Sequence, residues 1–272
     1  MTYETTFSQQ QLPTTSESKL QILRSGDPNT AFHNSTPTEI LEQYGMPRSL
    51  LSTSSKTVKC QKVGVLARVM YLTPGIFCPN ATKGCLAGCL GHSSGRMKWP
   101  THATARDRRA ALYLDDPDAF TTLLRYELRI LLSDARREQL TPAARLNGSS
   151  DISWEEFHPQ LFHSCPDIQF YDYTKSVTRM RRFLAGDRWP QNYHLTFSVA
   201  ADNHLESQQI LAAGGTVAAV FHPELPGSWN GHKVIDGDQH DARFFDDDSQ
   251  VVGLRAKGDA KQDMTGFTIL AA

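Results

Sequence analysis

Short apolar segments alternate with amphipathic ones along most of the chain. The first apolar segment, VGVLARVMYLT at 63–73, is rich in β-branched residues, which favours a β-strand. Similar segments begin near residues 142, 167, 193, 216, 231 and 250. Helical spacing of apolar residues separates several of them and is clearest at 117–138. This alternation predicts an α/β fold with a parallel sheet, in which ligands bind at the carboxyl ends of the strands.

The N-terminal part of the chain lacks this alternation. Residues 1–18 are rich in Thr, Ser and Gln and show no apolar periodicity, which is typical of a disordered segment. One short helix is expected at Pro37–Tyr44, with Ser35 or Thr36 as its N-cap. We therefore divide the chain into a partly disordered N-terminal arm at 1–58 and one α/β domain at 59–272.

The composition is that of a soluble globular protein, with 39% hydrophobic residues, 21% charged residues and a formal net charge of −1. A protein that coats nucleic acid through charge alone would be more basic than this. No apolar run reaches the length of about 20 residues that a membrane span needs. The N-terminus also lacks the basic and then apolar pattern of a secretory signal. We therefore expect a cytoplasmic protein without a membrane partner.

Three of the five cysteines lie close together in FCPNATKGCLAGCLGHSSGR, at 77–96. Six residues separate Cys78 from Cys85, three separate Cys85 from Cys89, and His92 follows. A disulfide is disfavoured, because the expected compartment is reducing and the number of cysteines is odd. Crowding of thiols in a glycine-rich loop instead indicates metal binding, because thiolates bind soft or borderline metals.

Two metal groups fit these residue types. A structural zinc ion would take four ligands, and His92 could complete the set. An iron–sulfur cluster could use the three thiolates and keep one iron open for an exogenous ligand. We favour a [4Fe–4S] cluster and keep zinc as the alternative. Cys60 and Cys165 stand apart and are expected to be small buried hydrophobic residues, with Cys60 the nearer to the loop as a possible extra ligand.

Several motifs, in order along residues 60 to 270, resemble the gene product 88 family of mycobacteriophages and related viruses. They are CPNATKGCLAGCLGHSSGR, RLNGSSDISWE, FYDYTKS, LTFSVAADN and VVGLRAKGD. A strand, a three-cysteine loop and a partial (βα) barrel are also similar to the radical S-adenosylmethionine enzymes, although the cysteine spacing here is wider. The resemblance implies an incomplete parallel (βα) barrel with a cluster on Cys78, Cys85 and Cys89, and with ligand contacts from the strand ends.

Polar residues at the strand ends have the chemistry to bind S-adenosylmethionine. Lys175 or Arg255 suits its carboxylate, and both are predicted catalytic residues. Asp151 or Asp172 suits its ammonium group. The ribose hydroxyls could bond to the remaining polar side chains, which are Asn147, Ser198 and Asn203. Because the carboxyl ends of parallel strands share one edge of the sheet, we expect these side chains to converge.

The leading functional hypothesis is a radical S-adenosylmethionine-like enzyme of phage type. Its substrate would be an unknown small molecule or nucleotide, with a nucleic acid as a further possibility, in the cytoplasm of the host cell if phage-encoded. One alternative is a non-catalytic phage or host-interaction protein with a structural cluster or zinc ion. A second is a metal-dependent nuclease that uses Asp236, Asp238, His240 and Asp241, for which a solvated acidic turn is the favoured interpretation. The oligomeric state stays open.

Two groups of arginines stand in the predicted helices, at 106–109 and at 179–182. A run of basic residues on a helix usually forms a solvated face. We expect both groups to be solvated and able to contact a nucleic acid.

Overall fold

The computed structural model describes residues 31–33, 35–93 and 95–271, without the side chains of His33, His92 and Arg96. Within these ranges the strands are β1 (Leu51–Ser52), β2 (Val65–Met70), β3 (Thr141–Arg145), β4 (Gln169–Thr174), β5 (Tyr193–Ser198), β6 (Val217–His222), β7 (Ser228–Trp229), β8 (His232–Asp236), β9 (Val251–Arg255) and β10 (Thr268–Leu270). The α-helices are α1 (Pro37–Tyr44), α2 (Ser55–Lys59), α3 (Lys83–Ala87), α4 (Leu90–Ser93), α5 (Pro100–Asp115), α6 (Pro117–Glu138), α7 (Trp154–Phe157), α8 (Pro159–Ser164), α9 (Val177–Ala185) and α10 (His204–Ala212).

The described strands form one mostly parallel sheet in the order β1-β2-β3-β4-β5-β6-β9-β8-β7, with β10 paired to β6. Neighbouring strands from β2 to β8 in this order are parallel, and antiparallel pairs occur where β1 joins β2 and where β7 joins β8. Parallel strands need long connections, and helices supply most of them here. The sequence prediction of an α/β fold with a parallel sheet is therefore confirmed.

The two faces of the sheet differ in what covers them. On the helix face, Leu66, Ala144 and Phe170 share one buried core with residues of α5, α6, α8, α9 and α10. We name the opposite face the inner face. There Ala67, Ala143 and Tyr171 pack against Cys60 and Ala242. Cys60 follows α2, and Ala242 lies in the segment 237–250 between β8 and β9. Alternation along the parallel strands thus gives two packed layers, in keeping with strands buried on both sides.

The two edges of the sheet approach each other without pairing. Helix α2, which follows the edge strand β1, contacts the turn after β8 near the other edge. The Lys56 Nζ donates to the carbonyl of Gly237 at 3.0 Å, and the Lys59 Nζ donates to the carbonyl of Asp238 at 2.8 Å. Side chains, rather than a strand ladder, bridge the gap. The predicted barrel is therefore not confirmed, because the described sheet is not closed.

The described part of the predicted N-terminal arm belongs to the same fold. Helix α1 has the predicted bounds, and Thr36 caps it, since its Oγ1 accepts from the Glu39 amide at 3.2 Å. Helix α1 packs against α5, and β1 pairs with β2. The predicted boundary at residue 58 lies inside α2, while residues 1–30 lie outside the described ranges. No helix in the described ranges has the length and apolarity of a membrane span.

Candidate functional site

The cysteine loop follows β2 at the carboxyl edge of the sheet and is fastened to the loop that follows β3. The amide of Gly148 donates to the carbonyl of Met70 at 2.9 Å, and the amide of Asp151 donates to the carbonyl of Phe77 at 2.7 Å. Because β2 and β3 are neighbours in the sheet, their loops continue side by side past the strand ends. This arrangement places the loop where an α/β fold binds ligands.

The second cysteine lies in one very short helix, and the third lies between that helix and the next. Thr82 caps α3, since its Oγ1 accepts from the Cys85 amide at 3.2 Å. The Cys89 amide donates to the carbonyl of Leu86 at 3.2 Å, and α4 begins at the next residue. Cys85 therefore lies within α3, and Cys89 lies in the turn between α3 and α4.

The three thiols of the loop are free and half-buried. The Cys78 Sγ lies 3.7 Å from the carbonyl oxygen of Ser149, to which it donates. Burial raises the pKa of Cys78 to about 12 and that of Cys89 to about 11, and in each case a neighbouring thiol adds to the shift. Both thiols are therefore protonated at neutral pH without a metal. A bound metal would have to displace these protons.

The described thiols lie near one another without forming a finished metal site. A thiolate at Cys89 or Cys85 would raise the pKa of Cys78, after the larger effect of burial, so the sulfurs are close enough to act on one another. Among the described side chains, no group of three or more His, Cys, Asp or Glu residues is placed to hold a metal ion. The side chain of His92, the predicted fourth zinc ligand, lies outside the described residues. The ligand set therefore stays a prediction.

Glycine allows close packing around the thiols. A Cβ at Gly91 would lie 2.6 Å from the Pro74 Cγ, 3.0 Å from the Ser149 Cβ and 3.3 Å from the Cys89 Sγ. The first two distances leave no room for a side chain unless the loops separate. Thus Gly91 brings the backbone of α4 directly against the loop that follows β3.

The segment after β9 covers the other side of the loop. A Cβ at Gly88 would lie 3.2 Å from the Cβ of Ala260, and one at Gly258 would lie 2.8 Å from the carbonyl oxygen of Ser93. Gly258 also has a φ of +54°, in the left-handed region that favours glycine. The cysteine loop is thus held between the segments that follow β3 and β9.

Of the two predicted catalytic cations, Lys175 lies near the thiols. Burial raises the pKa of Cys89, and the nearby charges of Lys175 and Arg106 partly oppose this. The Lys175 ammonium lies 5.6 Å from the ring centre of Phe267, and its amide donates to the Asp151 Oδ2 at 2.9 Å. A positive charge at this place is suited to an anionic group bound beside the loop.

The other predicted cation, Arg255, is engaged with acidic side chains. Its Nη1 lies 3.0 Å from the Asp236 Oδ2 and 3.7 Å from the Asp238 Oδ2. In the described residues, no hydrogen bond or ion pair joins Arg255 to Lys175 or to a loop cysteine. The two predicted catalytic residues therefore have separate partners.

Asn147 and Asp172, predicted to bind the cofactor, lie in a buried hydrogen-bond network. The Asp172 Oδ1 accepts from the Asn147 amide at 2.6 Å, and its Oδ2 accepts from the Tyr193 hydroxyl at 2.8 Å. The Asn147 Oδ1 accepts from the Trp154 indole at 3.1 Å and from the amide of Ile152 at 3.0 Å. Burial raises the pKa of Asp172 to about 7, although its hydrogen-bond donors and two arginines oppose the shift. Both side chains thus support the loop that follows β3.

Asp151, the third residue predicted at this end, belongs to a buried ion cluster. The Arg179 Nη1 lies 2.6 Å from the Asp151 Oδ1. The same guanidinium donates from Nε and Nη2 to the two carboxylate oxygens of Glu155, each at 2.9 Å, and from Nη2 to the Tyr193 hydroxyl at 3.0 Å. Bidentate geometry of this kind fixes the relative orientation of the two side chains. The cluster links α9, α7 and the loop that follows β3.

Arg179 and Arg106 correct the expectation that both arginine groups are solvated. Their residues are 3% and 1% exposed, whereas Arg181 is exposed. Nothing in TRMRRF distinguishes the buried arginine from its neighbours. The buried position of Arg179 depends on Glu155, which lies 24 residues earlier, so that local sequence could not reveal it.

Ser198 and Asn203, the last two predicted cofactor contacts, lie at the carboxyl end of β5. The Asn203 Oδ1 accepts from the Ala200 amide at 2.7 Å, and its Nδ2 donates to the Ser198 carbonyl at 3.1 Å. The side chain of Asn203 thus shapes the turn before α10. The Ser198 side chain is half-buried, and its role as a ligand contact stays a prediction.

Each carboxylate proposed for the nuclease site lies beside a cation. Asp236 pairs with Arg255, and the Asp238 Oδ1 lies 2.7 Å from the Lys257 Nζ. Asp241 is buried on the inner face, where its Oδ2 lies 3.0 Å from the Arg145 Nη1. These ion pairs use the oxygens that a metal would need. They favour a structural role for the acidic turn, but the buried Asp241 departs from the expected solvated turn. The nuclease hypothesis stays a prediction.

Comparison with known proteins gives one family. The model of the family described as gene product 88 matches residues 48–269, which include every predicted site residue. Comparison with curated proteins and with solved structures finds no match.

Proposed function

This chain belongs to the gene product 88 family, and we propose that it is an iron–sulfur protein whose [4Fe–4S] cluster is held by Cys78, Cys85 and Cys89. We further propose that it acts as a radical S-adenosylmethionine-like enzyme on a small molecule or nucleotide. The observation that carries the proposal is a set of three free, half-buried, mutually interacting thiols at the carboxyl edge of a parallel sheet.

The residues present suit such a cluster. Thiolate is the usual protein ligand of iron–sulfur clusters, and the loop offers three thiols from one short segment. Because residue 91 is glycine, α4 places no side chain against the Cys89 sulfur, where a Cβ would lie 3.3 Å away. When bound and reduced, a cluster with an open iron would supply one electron for reductive cleavage of the sulfonium group of S-adenosylmethionine.

The chain's own residues divide into those that would bind ligand and those that position the loop. Lys175 would bind the carboxylate of S-adenosylmethionine, because its charge already acts on Cys89. Asn147, Asp151 and Asp172 have their polar atoms engaged within the protein, so we propose that they position the loops around the ligand. The apolar residues around the loop, among them Phe77 and Ile76, would exclude water.

Replacement of Lys175 with methionine is expected to leave the iron content unchanged and to weaken S-adenosylmethionine binding about tenfold or more. Methionine keeps the length of the side chain and removes its charge, and a hydrogen bond to a charged group contributes about 1.5–3 kcal/mol. Binding to the reconstituted protein would be measured by anaerobic equilibrium dialysis. Lys257→Met removes an equal charge beside Asp238 and serves as the control. Equal affinities of the two variants would contradict the role of Lys175.

A metal assay of the anaerobically purified chain tests the function itself. We expect iron and acid-labile sulfide in equal amounts, the visible absorption of thiolate-bound iron, and methionine release from S-adenosylmethionine on reduction. A colourless protein with stoichiometric zinc would reject the cluster. A cluster that neither binds nor cleaves S-adenosylmethionine would reject the enzyme and leave a structural cluster. The engaged polar atoms of Asn147, Asp151 and Asp172 make that structural role the second candidate.

A further inference from the structure

A cavity of about 470 Å³ lies on the seam between the two edges of the sheet. We name it the seam cavity. Its lining residues come from α2, from the 3₁₀ turn Cys60–Val63, from the end of β8 and from the turn after it: Lys59, Lys62, Val63, Asp236, Asp238, Gln239 and His240. The volume is in the range typical of pockets for small molecules.

The carboxylates of the seam cavity are already neutralised. Asp238 has the Nζ atoms of Lys257 and Lys56 at 2.7 and 3.5 Å from its Oδ1, and the Nη1 of Arg255 at 3.7 Å from its Oδ2. Asp236 has the Nη1 of Arg255 at 3.0 Å. Three cations thus compensate two carboxylates. The lysines that line the cavity are additional positive charge.

Lys59 and Lys62 supply that charge from one side of the cavity. They stand three positions apart, so their side chains leave the same side of the helical segment. The Lys59 Nζ donates to the carbonyl of Asp238 at 2.8 Å, which holds it against the turn. Among the described residues, Lys62 has no hydrogen-bond or ion-pair partner. Two ammonium groups without a carboxylate of their own favour an anionic ligand.

His240 adds a neutral donor to the same cavity. The Arg243 Nη2 lies 3.0 Å from the His240 Nδ1, and a guanidinium can only donate, so Nδ1 is the acceptor. In the neutral ring the proton is then on Nε2. The imidazole can therefore donate one hydrogen bond to an anion.

We propose that the seam cavity binds the phosphate monoester of a small hydroxylated molecule. Lys59, Lys62 and His240 would bind the phosphate. The Asp236 carboxylate would accept hydrogen bonds from hydroxyl groups of the same molecule, and the Gln239 amide could both accept and donate them. A phosphate monoester carries between one and two negative charges at neutral pH, which matches the two lysines. The proposal goes beyond the proposed enzyme function and does not depend on a cluster in the cysteine loop.

Calorimetric titration of the full chain tests the proposal, with the probes at constant ionic strength. Ribose 5-phosphate and adenosine 5′-monophosphate are expected to bind, and ribose and sulfate are expected to bind at least tenfold more weakly. Tighter binding of the nucleotide would identify a nucleotide as the source of the phosphate, and equal binding would identify a sugar phosphate. Sulfate that binds as well as the monoesters, or no binding by any monoester, would overturn the proposal.

Variants locate the binding at the seam cavity. Lys62→Met and the double replacement Lys59→Met with Lys62→Met are expected to lower affinity progressively, by about tenfold or more for each lysine, whereas Lys62→Arg should retain most of it. Lys98→Met removes an equally exposed lysine outside the cavity and is the control. Far-UV circular dichroism checks that the variants are folded. Affinities equal to that of the control would overturn the assignment.

Discussion

Replacement of Cys85 with alanine is expected to abolish the iron content of the anaerobically reconstituted protein. The proposed cluster has three protein thiolates, and the segment that carries them offers no substitute among its described side chains. Cys85 is half-buried in a helix of five residues, and alanine is a good helix former, so the replacement should leave the fold intact. The expected result is a fall from about four irons per chain to nearly none, measured as iron, acid-labile sulfide and visible absorption.

Cys165→Ala provides the matched control for this experiment. Cys165 is also a free, half-buried thiol, but it follows α8 and lies away from the cysteine loop in the chain. Its replacement should leave iron, sulfide and absorption unchanged. Full iron content in the Cys85 variant would contradict the ligand assignment. Loss of iron from the Cys165 variant would place a ligand outside the loop.

The hydrophobic pattern was sufficient to predict the elements that carry the site. The segment 63–73 contains β2, and the predicted helix at 117–138 coincides with α6. Because strand and helix periods differ, apolar spacing alone separates such elements. Strand order then places the cysteine loop at the carboxyl edge, next to the loop that follows β3.

The inner face could not be predicted in the same way. The segment GHKVIDGDQHDARF predicts a strand with a polar end, and His232–Asp236 is that strand, but the residues that follow it cross the inner face. Asp241 accepts from Tyr173 at 3.3 Å and pairs with Arg145. These contacts join residues that are 68 and 96 positions apart. No local pattern encodes such a partner, so the sequence predicted a solvated acidic turn and did not predict the burial of Asp241.

The strand-end residues show a related limit. Local chemistry identified Asn147, Asp151 and Asp172 as polar groups at one edge of the sheet, and the structure does bring them together. Their hydrogen bonds, however, are made to Tyr193, Arg179 and backbone groups of the protein. A polar side chain that could bind a ligand and one that anchors a loop have the same sequence signature. Only the tertiary partners separate the two roles.

Arg179→Met is expected to lower the free energy of unfolding by about 3–5 kcal/mol. The variant removes the cation from a buried cluster and leaves the carboxylates of Glu155 and Asp151 without a charged partner, a loss that costs about this amount in other buried ion pairs. Glu155 and Arg179 have side chains only 2% and 4% exposed, so water cannot replace the lost contacts. Urea denaturation would measure the change, which corresponds to a fall in melting temperature on the order of 10 °C.

Arg182→Met is the control for this prediction, because it removes an arginine from the same helix, α9. Arg182 pairs with Glu156 at the surface, with side chains 37% and 46% exposed, and exposed pairs contribute about 0–1 kcal/mol. A second replacement, Glu155→Gln in the Arg179→Met protein, should restore part of the stability, because it removes one buried charge. Equal losses in the two single variants would show that the cluster is not what holds α9 and α7 to the loop that follows β3. The amide of Asp151, a member of that cluster, donates to the carbonyl of Phe77, the residue before Cys78. Loss of the cluster should therefore loosen the cysteine loop, so the Arg179 variant should also bind iron less tightly than the Arg182 variant.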